Sequence, residues 1–442
     1  MLEKTEIKVN SRKSGKTQLK FRRENMGKTI VEKIFLNHSN MKELHPGEVI
    51  WLDIDVRSAR DFGGPNVIKN LQRYFPEDPV IDKSRTVFTF DTVAPANNIP
   101  YAINQQFVRD FARRHKIPLY DVNRGIGTHT LIEDGWVRPG MTAVGTDSHY
   151  NILGAIGAFG QGMGDRDIAF AFATGKVWFE VPETVRINID GFPKNEFVTP
   201  KDFVLFLLSK FGSHGLLGKV VELYGDYIES LNLAGRITVA SMGTELGLIS
   251  IIIPPNENLL SELEELSPPK WQNEPLYSDI DAKYSEEYTF DITELEPMLA
   301  APFSPDNVHP VREFIGTPID SVFVGSCTNG RGEDIDAAAN AMGNSKVAEN
   351  TIMRVVPTTR VVTEQIMKSG TWFKLFSAGA VVSHPACGGC AQGQIGMTGE
   401  GEVQVSTGNR DFKGKQGAGE TYLVSPVVAG FAAAKGKIWL PE

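Results

Sequence analysis

Apolar residues recur along this chain in two rhythms, the period-2 alternation of strands and the three-to-four spacing of helices. Residues 30–36 space their apolar positions as a helix, and residues 48–56 then alternate as a strand. A second strand over 85–91 ends in Asp91. A helix over 101–116, a strand over 119–122 and a strand over 141–147 follow, the last delivering Asp147-Ser148-His149. A second run contains a helix over 200–210, a strand over 220–224, the stretch 236–245 and a short buried strand within 246–253. Residues 255–310 are rich in Pro, Glu and Ser with little periodicity, and read as irregular connection. A third run opens with a strand over 319–324 feeding Cys327, continues with a helix over 333–341, and closes with a helix over 426–435.

Strands separated by helices imply parallel sheets, whose functional residues collect at the strands' carboxyl ends. The fold class is therefore α/β, in three units: 26–191, 192–315 and 316–442, preceded by a basic extension over 1–25. That extension holds eight Lys/Arg against three Glu and no apolar periodicity, so it reads as disordered, with a targeting arm as the other option. Glycines at 154, 157, 160, 162 and 164 invite a dinucleotide-loop reading. They follow Asp147-Ser148-His149 instead of opening a compact βαβ unit, so close backbone packing is preferred.

Composition narrows the function classes. With 41% hydrophobic and 22% charged residues the chain reads as a soluble globular protein, and no apolar run approaches a membrane span. A net charge of -9 argues against a nucleic-acid-binding surface over the whole chain. Three cysteines are too few for a disulfide framework and suit a reducing compartment, hence a cytoplasmic location, or an organelle matrix if the extension is a targeting arm.

Those cysteines carry the candidate chemistry. Cys327 lies in Gly325-Ser326-Cys327-Thr328-Asn329, and Cys387 and Cys390 form a CxxC. Three thiolates suit a cubane iron–sulfur cluster with one iron left open as a Lewis acid. A redox dithiol would use only two of them. A structural zinc would need a fourth ligand such as His384.

Several separated motifs occur in one order: Thr146-Asp147-Ser148-His149, Gly325 to Gly330, the CxxC, Ser406 to Gly414, and Tyr422 to Pro426. Together they closely resemble the large subunit of aconitase-type hydro-lyases, the family of aconitase, homoaconitase, isopropylmalate dehydratase and dimethylmalate dehydratase. The likeness runs from about Gly27 to the end of the chain. It implies a three-domain α/β body around one [4Fe-4S] cluster. It also implies reversible dehydration of a 2-hydroxy di- or tricarboxylate such as isopropylmalate, homocitrate, dimethylmalate or citrate. Carried over residue by residue, it makes Cys327, Cys387 and Cys390 the cluster ligands. Asp91, His129, Asp147, His149 and Glu245 become catalytic candidates, with Asp147 paired to His129 and Glu245 to His149. Arg60, Ser148, Asn409, Arg410 and Lys415 become substrate-binding candidates.

Four positions depart from the family pattern. Thr92 stands where a histidine follows Asp91, Ser241 where aconitase has an asparagine, Lys415 where an arginine is usual, and Arg60 where relatives carry Gln or His. Lys415 trades a bidentate fork for a point charge. The mobile fourth (swivel) domain of single-chain aconitases is expected on a separate small subunit that completes the site. The remaining readings are a non-catalytic relative, motivated by Thr92, and an RNA-binding regulatory relative, which the acidic body disfavours.

Overall fold

The computed structural model describes residues 27–77, 79–391 and 395–441. The expected basic extension lies outside them. Three parallel-rich sheets follow one another along the chain.

The first sheet has five parallel strands in the order Leu119–Tyr120, Thr86–Thr89, Val56–Arg60, Thr142–Gly145, Phe159–Gly162. Its strands are buried on both faces, as helix-covered parallel strands must be. The single strand expected over 48–56 is two. Val49–Asp53 pairs antiparallel with Lys176–Glu180 as a separate ribbon, and Val56–Arg60 enters the main sheet. The break falls where the alternating pattern of the first gives way to continuous burial in the second. The helix Ile99–His115 is capped by Asn98, whose side chain accepts from the Tyr101 amide, with Pro100 in its first turn.

The second sheet, also parallel, runs Ser250–Ile252, Val220–Tyr224, Thr184–Asp190, Glu286–Asp291. It begins a strand before Gly191. The third has seven strands in the order Val308–Pro310, Met298–Ala300, Glu420–Val424, Val403–Ser406, Ser321–Val324, Ile352–Val355, Val381–Val382. Met298–Ala300 runs antiparallel to both neighbours. Residues 255–310 are thus not irregular: they hold the helix Glu257–Leu266, the edge strand of the second sheet and two strands of the third. Glu286–Asp291 alternates half-buried and exposed at a sheet edge, and the strands at 298 and 308 are three residues long, so neither leaves a strong hydrophobic run.

The glycine run serves close packing. A Cβ on Gly154 would lie 1.9 Å from the Ile251 carbonyl oxygen, on Gly160 2.2 Å from that of Tyr150, and on Gly162 2.1 Å from that of Asp147. Gly154 therefore lets the 3₁₀ segment Tyr150–Ile156 lie directly on the second sheet. A Gly154→Ala change should destabilise the protein by about 1–3 kcal/mol through overpacking, read as a lower melting temperature with an unchanged far-UV spectrum.

Candidate active site

Carboxyl ends of strands from the first and third sheets converge on one cavity of about 650 Å³. Arg60 ends the strand Val56–Arg60, and Asp91 and Asp147 lie two residues past Thr89 and Gly145. Cys327 follows Val324, and Asn409 and Arg410 follow Ser406. The cavity wall includes Arg60, Thr92, Asp147, Ser148 and His149 beside all three cysteines, with Phe412 and Lys415 on the same lining.

Arg60 is the hub of the floor. Its Nε donates to Asp91 Oδ1 at 2.8 Å and its Nη2 to Cys387 Sγ at 2.7 Å, while ion pairs bring Nη2 to 2.7 Å from Asp91 Oδ1 and Nη1 to 3.1 Å from Asp147 Oδ1. Asp91 Oδ2 accepts the Gly127 amide at 2.7 Å. The turn after Asp91 is anchored by buried Asp61, which accepts the amides of Asp91, Thr92 and Val93. Burial raises the Asp91 carboxyl to about 6 despite the guanidinium beside it. Burial opposes ionisation of Asp147 as well, yet Arg60, His149 and Arg410 together hold it below the ordinary carboxylate range. Two of its N–H groups are hydrogen-bonded and its charge is paired with both carboxylates, so Arg60 clamps the floor of the cavity that it also lines.

His149 pairs as expected. Its Nε2 faces Glu245 Oε1 at 3.3 Å, and its Nδ1 lies 3.4 Å from Ser148 Oγ. Glu245 Oε1 also accepts Arg410 Nε at 2.5 Å, and Arg410 Nη1 donates to Ser148 Oγ at 3.2 Å. Burial would raise the Glu245 carboxyl, but His149 and Arg410 hold it down. Lys415 sits at 6.0 Å from the Phe412 ring centroid on the cavity wall.

His129 does not pair with Asp147. It is fully buried behind the site, its Nε2 at 3.0 Å from the Cys327 carbonyl oxygen and its Nδ1 without a partner. Asp147 has turned to Arg60 and to the His149 amide. Burial, together with the Arg331 charge, drops the His129 imidazole to about 3, so the ring is neutral.

Asn409 joins the two cysteine segments. Its Nδ2 donates to Cys327 Sγ at 3.3 Å and to Thr328 Oγ1 at 3.1 Å, while its Oδ1 accepts Cys390 Sγ at 3.4 Å. Its amide is thus engaged by both cysteine segments and by Thr328. Ser241 stands one layer behind, donating to Thr328 Oγ1 at 3.0 Å. Between the paired cysteines, Gly388 has φ +60°, and a Cβ there would press on the Phe323 ring at 2.8 Å.

The donor set discriminates among metal readings. Among the described residues no three His, Cys, Asp or Glu converge on a point that could hold one ion. His384, the candidate fourth zinc ligand, is bonded through Nε2 to the Ala94 carbonyl. The three sulfurs instead share one cavity wall while Asn409 and Arg60 direct N–H groups at two of them. That arrangement fits a cluster whose thiolates occupy separate iron corners, with N–H donors supporting anionic sulfur. Burial first, then neighbouring acidic groups, push the Cys327 and Cys387 thiols well up, so they stay protonated until a cationic group takes the proton's place.

Sequence reasoning missed Asp61, Tyr101 and Phe62. Tyr101 lines the cavity from a helix and Phe62 from the turn before one, where neither carries a chemical signal, and Asp61 accepts backbone amides and the Gln105 side chain.

The sequence model of the aconitase family (aconitate hydratase) matches residues 32–318 and 312–436. The 3-isopropylmalate dehydratase large subunit 1 of Methanopyrus kandleri is 39% identical over 420 residues, covering 94% of this chain and 99% of its own. The probable methanogen homoaconitase large subunit of Methanosarcina mazei is 41% identical over 392 residues, covering 88% and 99%. Among solved structures, the holo-form of Thermococcus kodakaraensis aconitase X aligns over 93% of each chain at 11% identity and a TM-score of 0.47.

Removing the Arg60 guanidinium leaves two buried carboxylates without their counter-charge. Arg60→Met should therefore lower stability at pH 7.5 by about 3–5 kcal/mol. Asp147, depressed in the folded protein, contributes stability above its unfolded value and loses it as pH falls. In the variant both carboxyl values rise, so the deficit should shrink on going to pH 5, where neutral Asp needs no cation. Melting curves of both proteins at the two pH values check this. A deficit that grows at pH 5 contradicts it.

Proposed function

From its place in the aconitase family, to which the chain belongs, we propose that this hydro-lyase is the cluster-bearing large subunit of an enzyme that reversibly dehydrates a small 2-hydroxy di- or tricarboxylate. The observation that carries the reading is that three thiols, Ser148 and His149 line one cavity, with Glu245 bonded to His149 and Arg410 bonded to both Glu245 and Ser148. Relatives named as isopropylmalate dehydratase and homoaconitase large subunits point to the isopropylmalate or homocitrate class of substrate.

Cys327, Cys387 and Cys390 would hold a [4Fe-4S] cluster, which would supply Lewis-acid chemistry toward a substrate hydroxyl. The protein's own groups do the rest. Ionised Glu245 holds the His149 ring through Nε2, which leaves Nδ1 as the atom that exchanges a proton beside the Ser148 hydroxyl. Arg410 keeps N–H groups beyond those given to Glu245 and Ser148, and these suit a substrate carboxylate. Lys415 adds a point charge on the same wall. His129, neutral and away from the cavity lining, acts as a support for the Cys327 backbone.

The relatives' designation as large subunits supports a separate small subunit over the cavity mouth. Phe62 and Phe412, 69% and 50% exposed on the cavity lining, suit such a contact. A cytoplasmic location belongs to the same reading. Among the described residues no helix is long and apolar enough to cross a membrane.

Anaerobic reconstitution with iron and sulfide should give visible sulfur-to-iron absorbance and about four irons per chain, and Cys387→Ser should abolish both signal and turnover. Full absorbance in the variant, or a wild-type chain that takes up no iron, sinks the proposal. Phe62→Glu with Phe412→Glu should weaken capture of the small subunit at least about tenfold, read by titration, while leaving the cluster spectrum unchanged.

A further inference from the structure

Lys201 is the buried cation that the reading above leaves without a task. It belongs to the first turn of the helix Pro200–Phe211, in the second unit, and its side chain is 0% exposed. A lysine almost never occupies such a position without an ionic partner. Here its Nζ has no carboxylate within salt-bridge distance. It donates to the Gly408 carbonyl at 2.6 Å and the Thr407 carbonyl at 3.3 Å, and lies 3.7 Å from the Met242 sulfur.

Those two carbonyls belong to the residues immediately before Asn409 and Arg410. The ammonium therefore reaches from one unit into the loop of another that carries the thiol bridge and the candidate carboxylate-binding guanidinium. Neighbouring residues secure the helix end. The Thr199 side chain caps the helix, and Asp202 accepts the Thr199 and Met298 amides, which fixes the turn from which Lys201 projects. Asp411, next along the loop, is buried with neither oxygen hydrogen-bonded. Asn409, the residue after Gly408, donates its Nδ2 to Cys327 Sγ at 3.3 Å.

We propose that Lys201 is a positioning residue: its ammonium sets the Thr407–Arg410 loop against the cavity and thereby holds the Asn409 amide on the Cys327 sulfur. The proposal rests on the cluster-bearing hydro-lyase reading for its second half only. The first half concerns the loop itself and stands without a cluster. A merely structural lysine would fill space, and a methionine of similar length would replace it with little local effect.

Lys201→Met and Lys201→Gln separate the two roles. Hydrogen exchange on the full chain reads the loop. In Lys201→Met the amides of 407–416 should exchange about tenfold faster or more, the loss of a charged hydrogen bond, while the strands of the third sheet keep their protection. Lys201→Gln, which retains a donor, should restore part of that protection. On the reconstituted holoprotein with its small subunit, both variants should lower the cluster's reduction potential, since each loosens the Asn409 N–H donor on the Cys327 sulfur, and should raise KM more than they change kcat by displacing Arg410. Unchanged exchange of 407–416 in Lys201→Met overturns the proposal. So does an unchanged potential in both variants. If Lys201→Met fails to fold, Lys201→Gln carries the same two readouts. A wild-type chain without a cluster signal would instead fail the hydro-lyase reading and leave the exchange test decisive for the loop.

Discussion

A guanidinium shared between two buried carboxylates holds this site together. Asp91 and Asp147 are almost inaccessible, and an ionised carboxylate cannot stay so without a counter-charge and hydrogen bonds. Arg60 supplies both, and it does so from a third strand of the same sheet. The carboxyl ends of three parallel strands are thereby fixed relative to one another. The fourth bond, to Cys387 Sγ, ties that platform to the cysteine loop of the third sheet. The same arrangement explains why Asp147 is not available to His129.

Around this clamp the charges alternate. Burial disfavours thiolate at Cys327 and Cys387, carboxylate at Asp91 and ammonium at Lys201, each in its own direction. Cations at 60, 201 and 410 and anions at 91, 147 and 245 offset one another in pairs and near-pairs. Asn409 completes the balance by joining the two cysteine segments through one amide, so their spacing does not depend on the metal group alone.

Much of this was legible in the residues. Strand ends carrying Asp91, Asp147 and Cys327 follow from the alternation of apolar positions, and the Glu245–His149 pair from the resemblance that its motif carries. What escaped has physical reasons. The split near residue 54 depends on which of two sheets each half joins, a tertiary choice that a nine-residue alternating pattern does not encode. The strands at 286, 298 and 308 are edge or three-residue pieces stabilised by partners far along the chain. The Asp147 partner was misassigned because a cation at position 60 outcompetes a buried neutral imidazole for a carboxylate. Lys201 read only as part of a helix start, since a buried lysine has no one-dimensional signature.

The departures at positions 60 and 92 are one change seen from two sides. A histidine at 92 would need Asp91 to orient and charge it, as Glu245 does for His149. In this chain Asp91 is already engaged: Oδ1 accepts Arg60 Nε and the Thr92 hydroxyl at 3.3 Å with Arg60 Nη2 paired beside it, and Oδ2 accepts the Gly127 amide. A second cationic ring beside Arg60 would add like-charge repulsion in a desolvated pocket, where it is strongest. Threonine avoids the repulsion and gives its hydroxyl to the same carboxylate. The imidazole that does line the cavity, His149, lies against Glu245, whose carboxyl it and Arg410 hold down. Arg60 and Thr92 thus make Asp91 the centre of a structural clamp, on a separate part of the lining from the His149–Glu245 pair.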